Sequence, residues 1–452
     1  MITIKRKLKL IIIISMLSIL PACSFKASPE GLMKVPKFSQ ENQEIKSVIQ
    51  KILPKTAKLT APYNKEELSA IKFIDLDGDN EDEVVAFYKL SVDKDSLRAL
   101  VLKKENGAWI PKGEMKESGK EFDEVMFKDI TGNGRPEIII SSMGGEYKNK
   151  GVSMYSYSDD NIVEIFETAY EEMIIADLDN DELPEIVTLK KSDDRLSADL
   201  YKYTSEESTI EFINETIVDS PTTIKSIKVG KASKDKTGIF IQTSYEHYGA
   251  TALLVMEHGQ LVNAFYDDEI GLVEKTTSPY AMDPQDIDND GIIEIPIRQY
   301  TAEKTEDVFE RNSMVTHWNK WDGGRDLILV KRVYYNDDLK ISFDFPSNWD
   351  KNITVRCYEE SDENNHTSKL ISFQYLNSYE YIKYNLLTIY EYNKADIDAD
   401  KINKLKKNKY VKIGESAQKV YFATLGSTNH STEFNEKLIT IDEVKKNFKI
   451  LK

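Results

Sequence analysis

The chain has 452 residues, 30% of them charged, and a formal net charge of −17. That excess of acid excludes a nucleic-acid partner, because phosphate backbones are held by clustered Lys and Arg, and it excludes adhesion to anionic lipid by charge alone. Only two cysteines are present, Cys23 and Cys357, so the fold must be held by burial and bound ions rather than by a disulfide framework.

At the start of the chain, Lys5, Arg6, Lys7 and Lys9 precede an apolar stretch over residues 10–20. A membrane span needs about 20 apolar residues, so this shorter stretch reads as a secretory signal. Leu20-Pro21-Ala22-Cys23 resembles the lipobox of bacterial lipoproteins, in which the Cys is acylated and becomes the new N-terminus. An ordinary signal with an incidental Cys is the competing reading. The resemblance implies a signal peptide at 1–22, lipidation at Cys23, a tether over 23–39 and a place on the outer face of the cell membrane. Abundant Lys, Ile, Asn and Glu suggest an AT-rich genome and a Gram-positive cell. Loss of residues 1–22 removes four positive charges and no acid, taking the net charge from −17 to −21. With Cys23 acylated, Cys357 has no disulfide partner; it falls in an apparent strand and reads as buried rather than reactive.

Residues 40–65 form a helix and a lead-in. Ile45, Val48, Ile49, Ile52 and Leu53 share one helical face, Ser39 is placed as N-cap, and Pro54 stops the helix. From about residue 66 the pattern changes to short β-runs separated by turns. Four loops there carry one acidic frame: Asp75, Asp77, Asp79 and Glu83; Asp129, Thr131, Asn133 and Glu137; Asp177, Asp179, Asp181 and Glu185; Asp286, Asp288, Asp290 and Glu294. Oxygen side chains at positions 1, 3, 5 and 9 of a tight loop converge as a hard cation such as Ca²⁺ requires. An EF-hand needs Glu at position 12, where this chain has Ala86, Ile140, Thr188 and Ile297, so that reading fails. Metal-free acidic turns are the remaining alternative.

The loops differ in quality. The 286–294 loop brings four carboxylates, with Gly291 at position 6 for the sharp turn; the 75–83 loop matches its charge, and Asn80 tolerates a left-handed backbone. In the 177–185 loop Glu182 takes that position under strain, and the 129–137 loop has two charged ligands and is expected to bind most weakly. The backbone carbonyls of Glu81, Arg135, Leu183 and Ile292, at position 7, would complete each shell.

The first aspartates fall at 75, 129, 177 and 286, so the last interval is about two periods. A degenerate copy fills it: Gly230, Ala232, Lys234 and Gly238 occupy the ligand positions ahead of an Ile239-Phe240-Ile241 run. Lys234 could supply charge in place of a metal, and upstream apolar residues one step out of phase predict a different loop length. Each unit divides into four β-runs, as in 122–129, 137–142, 151–158 and 162–168. Four antiparallel strands repeated about every 50 residues are the signature of a β-propeller blade. The expected fold is mainly β: a five-bladed β-propeller with calcium-type loops over 66–335.

The D-x-D-x-D-x-x-x-[DE]-[IV] loops resemble the FG-GAP/VCBS repeats known from integrin α-subunit propellers, where such loops bind Ca²⁺. Lipobox, helix and acidic blades together are similar to VCBS-type lipoproteins of Gram-positive bacteria. Integrin propellers have seven blades, so their ligand binding is not carried over. After Tyr335 the period ends, and 336–452 is expected to be an α+β domain. It would have strands over 340–345, 353–359, 369–375 and 385–392, a helix over 398–408, and a last helix over 441–451 capped by Thr440 and Glu443. The run Ile341-Ser-Phe343-Asp-Phe345-Pro-x-x-Trp349 loosely resembles the opening strand of PsbP-like domains.

No H-E-x-x-H, G-x-S-x-G or P-loop pattern occurs, no catalytic residue is assigned, and a non-enzymatic reading is preferred. The turns opposite the acidic loops carry aromatic residues, Tyr147 in one and Tyr245, His247 and Tyr248 in another, suited to stacking on a sugar or holding a peptide. The expectation is a surface-anchored, calcium-stabilised scaffold or binding module for an envelope glycan or protein. The alternative is a polysaccharide-active hydrolase or lyase.

Overall fold

The computed structural model describes residues 40–63, 69–90, 96–144, 150–220, 222–246, 248–267, 269, 273–301, 313–361, 367–377, 382–427 and 431–451. The signal, Cys23, the tether, Ser39, Tyr147 and His247 lie outside the described residues. The protein is mainly β, and its described strands gather into six antiparallel sheets.

Helix α1 (Gln40–Ile52) leads into the first sheet, made of β1 (Ala57–Leu59), β2 (Ile71–Ile74), β3 (Glu83–Leu90), β4 (Ser96–Glu105) and β5 (Ala108–Ser118); β1 and β2 both pair with β3. The second sheet is a meander of β6 (Glu121–Lys128), β7 (Glu137–Met143), β8 (Lys150–Ser158) and β9 (Asn161–Tyr170). The third repeats it with β10 (Glu172–Ala176), β11 (Glu185–Lys191), β12 (Leu196–Thr204) and β13 (Thr209–Asp219). The fourth has β14 (Thr223–Lys231), β15 (Thr237–Tyr245), β16 (Tyr248–Glu257) and β17 (Gln260–Asn263), with the short β18 (Ser278–Pro279) beside β16. The fifth runs β19 (Ile295–Tyr300), β20 (Met314–Trp321), β21 (Leu327–Asn336) and β22 (Ile341–Asp344).

The second strand of each meander is apolar at consecutive positions because the sheet is covered on both faces. In β3, Val84, Ala86 and Tyr88 pack toward Ile45 and Ile49 of α1, while Val85 and Phe87 face Phe122, Ile138 and Ile140 of the second sheet. In β7, Ile139 points the other way, to Ile186 and Tyr201 of the third sheet. Val187 and Leu189 then join Ile239, Ile241, Ile295 and Ile297 in a core spanning the third, fourth and fifth sheets. Each such aliphatic side chain contributes about 1.5–3 kcal/mol relative to exposure. Ile52, expected on the buried face of α1, lies at its rim and is partly exposed.

The sixth sheet is ordered β23 (Ile353–Ser361), β24 (Thr367–Asn377), β25 (Ile382–Asn393), then β27 (Lys419–Leu425) and β26 (Val411–Glu415), with α2 (Ala399–Lys407) between β25 and β26. Helices α3 (Thr432–Glu436) and α4 (Ile441–Asn447) follow, and the capping box of Thr440 and Glu443 is formed. The last helix is shorter than expected: Phe448 leaves it in an extended conformation, and β28 (Phe448–Ile450) pairs with β22 in the fifth sheet. The expected boundary at 335/336 thus cuts β21, and two strands from beyond it complete that sheet.

Candidate cation loops and ligand cleft

The four acidic loops close in closely related ways, position 1 accepting from the N–H of position 6 in each and from that of position 4 or position 5 as well. Asp75 accepts from the backbone N–H groups of Gly78 (2.7 Å) and Asn80 (2.9 Å). Asp129 does the same for Gly132 and Gly134, Asp177 for Asp181 and Glu182, and Asp286 for Asp290 and Gly291. The residue at position 5 (Asp79, Asn133, Asp181, Asp290) accepts from the N–H of position 7. Position 6 is left-handed in every loop: Asn80 at φ 65°, Gly134 at 80°, Glu182 at 73° and Gly291 at 88°. Gly and Asn take that region readily and Glu does not, so Glu182 bears the strain expected of it.

Position 9 anchors each loop from beneath. Glu83, Glu137 and Glu185 open the strands that follow their loops, β3, β7 and β11, and Glu294 stands just before β19; all four are buried. One oxygen of each accepts from the N–H at position 2, at 2.9 Å from Leu76, 2.8 Å from Ile130, 2.7 Å from Leu178 and 2.7 Å from Ile287. Burial raises the pKa of Glu83, Glu185 and Glu294 above the ordinary carboxylate value, opposed by these N–H donors and by nearby lysines.

Ligand atoms of Asp286, Asp288, Asp290 and Glu294 lie within 4.8 Å of one another; so do those of Asp75, Asp77 and Glu83, and of Asp177, Asp179 and Glu185. These three clusters could hold a metal ion. Asp79 and Asp181 fall outside their clusters, and the 129–137 loop, with two carboxylates, forms none among the described residues. Glu294 Oε1 is fully buried and accepts no hydrogen bond in the described structure; it meets only the charge of Lys320 Nζ, at 3.4 Å, and a hard divalent cation at the centre of the four carboxylates would coordinate it directly.

The degenerate loop is one residue shorter. Val229 pairs with Ile239, whereas Phe73 pairs with Val84 in the first sheet. Ala232 N–H bonds to the Lys236 carbonyl at 2.9 Å, so backbone closes the turn instead of carboxylates. Its neighbour Lys231 accepts from Ile293 N–H at 2.9 Å, joining this loop to the 286–294 loop.

Three lysines complete the acidic clusters, and sequence reasoning missed them. Lys103 contacts Asp77, Asp79 (2.8 Å) and Glu83 (3.7 Å); Lys202 contacts Asp179 and Glu185 (2.8 Å); Lys320 contacts Asp288 (3.1 Å), Asp290 and Glu294 (3.4 Å). Each stands across the hairpin from the position-9 Glu, one step beyond the pairs Val84–Leu102, Ile186–Tyr201 and Ile295–Asn319. They follow that Glu by 20, 17 and 26 residues, so no fixed spacing marks them.

At the opposite strand ends, the β15–β16 turn borders a cleft of about 160 Å³ lined by Asp219, Ser220, Thr222, Thr243, Tyr245, Tyr248, Val273 and Thr277. Tyr245 and Tyr248 are exposed, at 63% and 57%. Asp219 is buried; it accepts from Thr243 Oγ1 (2.8 Å) and Ser220 N–H (2.9 Å), and burial raises its pKa above the ordinary value. His317 sits in β20 with its pKa pushed down to about 4 by burial and by Arg332. Cys357, partly exposed as a residue, has its thiol pushed up to about 11 by burial, which leaves it protonated rather than nucleophilic.

A second buried acid lies between the first two sheets. Glu117 in β5 accepts from Tyr155 OH (2.6 Å) and Ser153 Oγ (2.9 Å). Its pKa is pushed up from 4.5 to about 7, chiefly by burial, with those hydroxyls opposing and Glu164 and Glu167 of β9 adding to the rise. A raised carboxyl pKa means the folded state holds a proton that the unfolded state has lost. Stability should therefore fall as pH rises from about 4.5 to about 7, by on the order of 3 kcal/mol, and level off above. Glu117→Gln is expected to remove this component, so that its advantage over the parent in urea unfolding grows from pH 5 to pH 8. Parallel pH profiles for the two proteins would refute it.

No family model matches the chain, and no curated protein is significantly similar to it. Among solved structures, a protein from Bacteroides uniformis described as a candidate 6-phosphogluconolactonase is similar at a TM-score of 0.30 and 11% identity, covering 73% of this chain and 94% of that one. The exotype rhamnogalacturonan lyase YesX gives 0.29 and 10%, covering 82% and 72%. A protein from Lactobacillus plantarum gives 0.25 and 10%, covering 74% and 95%. Likeness at this level identifies neither a family nor an activity.

Proposed function

We propose that the chain is a non-enzymatic, envelope-anchored glycan-binding module. Its five repeated sheets are read as blades of an FG-GAP/VCBS-type propeller braced by Ca²⁺ at the acidic loops, and the region beyond them as an α+β domain. Cys23 in its lipobox-like context supports a lipid anchor on the outer face of a Gram-positive membrane. The acidic loops are structural in this reading, since their carboxylates turn inward on backbone N–H groups and a common centre. Calcium there supplies a divalent charge for four oxygens and no chemistry.

The observation that carries the binding function is the cleft between Tyr245 and Tyr248. Two exposed aromatic faces beside Ser, Thr and Asp oxygens match a sugar, whose C–H faces stack on rings while its hydroxyls bond to polar groups. The test is a panel of bacterial envelope glycans probed with the secreted portion of the chain and with Tyr245→Ala/Tyr248→Ala. A bound glycan should lose roughly 5- to 150-fold in affinity in the double variant, at roughly 0.5–1.5 kcal/mol per aromatic contact. An equal response from both proteins would move the binding site elsewhere. Shortened glycan products would instead support the hydrolase or lyase reading, with Asp219 as the buried acid of the cleft.

A further inference from the structure

The lysines of the acidic loops follow a rule within this one chain. Where positions 1, 3, 5 and 9 are all carboxylates, the residue facing the position-9 Glu across the hairpin is Lys103, Lys202 or Lys320. In the 129–137 loop, where Thr131 and Asn133 replace two acids, the residue in that place is Ser156, one step beyond the Ile138–Tyr155 pair. There the loop satisfies itself with neutral groups: Thr131 Oγ1 donates to Glu137 Oε1 at 3.1 Å and Ser156 Oγ at 3.4 Å. Acid count and ammonium therefore vary together. At the 286–294 loop, Lys320 Nζ stands among Asp288, Asp290 and Glu294, the same oxygens that would bind a metal. The two cations compete for one set of ligands.

Resting on the reading of these loops as calcium sites, we propose that Lys320, with Lys103 and Lys202 in the sister loops, is a built-in competing cation that holds the site closed until Ca²⁺ displaces its ammonium. The Glu294 oxygen left without a hydrogen bond argues that the ammonium is an incomplete substitute: it reaches Asp290 and Asp288 but stays 3.4 Å from Glu294 Oε1. A divalent ion at the centre could meet all four carboxylates, and the flexible lysine stem would let Nζ swing to solvent. The loop backbone keeps its fold with and without calcium, the open form being the one with the ammonium out, and the apparent affinity is reduced in proportion to the fraction of time the lysine is out. If the open form is about 10% of the population, removing the lysine tightens binding about tenfold.

The test is calorimetric titration of Ca²⁺ into the calcium-stripped chain and into Lys320→Ser, which copies the arrangement at Ser156. Thermal unfolding is then followed in EDTA and in millimolar Ca²⁺. K320S is expected to gain one site about tenfold tighter than any in the parent. Its midpoint should fall below the parent in EDTA and recover in Ca²⁺, so that its calcium-induced rise exceeds the parent's. The variant K320S/D288T/D290N, built on the pattern of the 129–137 loop, should fold in EDTA and show no tightened site. Calcium binding in the parent that K320S leaves unchanged would overturn the competition while sparing the calcium reading. Failure of both proteins to bind calcium would overturn both. A K320S chain unfolded even in millimolar Ca²⁺, beside a folded triple variant, would make the lysine a permanent counter-ion and also overturn the proposal.

Discussion

Trp349→Ala is expected to lower the unfolding free energy by about 3–5 kcal/mol, measured as a drop in urea midpoint at unchanged slope. Trp349 is 1% exposed. Its ring centroid lies 5.1 Å from Phe345, 5.4 Å from Phe373 and 5.7 Å from Phe343. Its indole N–H donates to the Lys437 carbonyl at 2.8 Å, and Arg332 donates to its own carbonyl. One side chain therefore touches the fifth sheet through Phe343, the sixth through Phe373 and the helical tail through Lys437. Alanine would leave a cavity that three separate elements cannot close together. Trp349→Phe keeps most of the ring volume and loses the hydrogen bond, so it should cost distinctly less, about 1–2 kcal/mol. A loss below about 1 kcal/mol for the alanine variant would show that the two sheets do not depend on this contact.

The same region shows where sequence reading stops. The repeated meanders are legible because the strand after each loop carries a short apolar run, such as Val84-Val85-Ala86-Phe87 and Ile138-Ile139-Ile140, and the loops recur in phase. Position 6 is legible as left-handed from Gly291 and Asn80, and as strained at Glu182, whose φ is 73°. What escaped depends on contacts distant along the chain. β26 and β27 form a local hairpin whose first strand, Val411–Glu415, is short and largely polar; the distant contact is that of β27 with β25, which draws the hairpin into the sixth sheet. The end of the last helix was misjudged because Phe448 is drawn into the core beside Tyr421 and into pairing with β22, a tertiary pull that helical periodicity does not report. The lysines escaped for the same reason, since their place is set by the register of two strands whose connecting turns differ in length. Asp219 and Thr243 meet in the cleft from different strands, so the aromatic turn was visible in sequence and its buried acid was not.

Glu294→Ala is expected to be the most damaging single change in the acidic loops, at about 3–5 kcal/mol, whereas Asp290→Ala at the exposed rim should change stability little. Both side chains contact Lys320, so charge count alone predicts equal effects. Burial separates them. Glu294 is 0% exposed and holds two things at once: the Ile287 N–H through Oε2 at 2.7 Å, and the cationic centre through Oε1. Its removal strands a buried N–H and leaves the loop without the floor that the strand provides. Asp290 is solvated, and Lys320 retains Asp288 when it is lost. Glu294→Gln separates the two roles, because its carbonyl can still accept from Ile287 while its amide cannot bind a cation. It should recover about half of the stability in EDTA and none of the additional stability conferred on this loop by Ca²⁺. Equal melting curves for Glu294→Ala and Asp290→Ala would place the strength of the loop in its rim rather than its buried base, and the metal would then be held from outside the sheet.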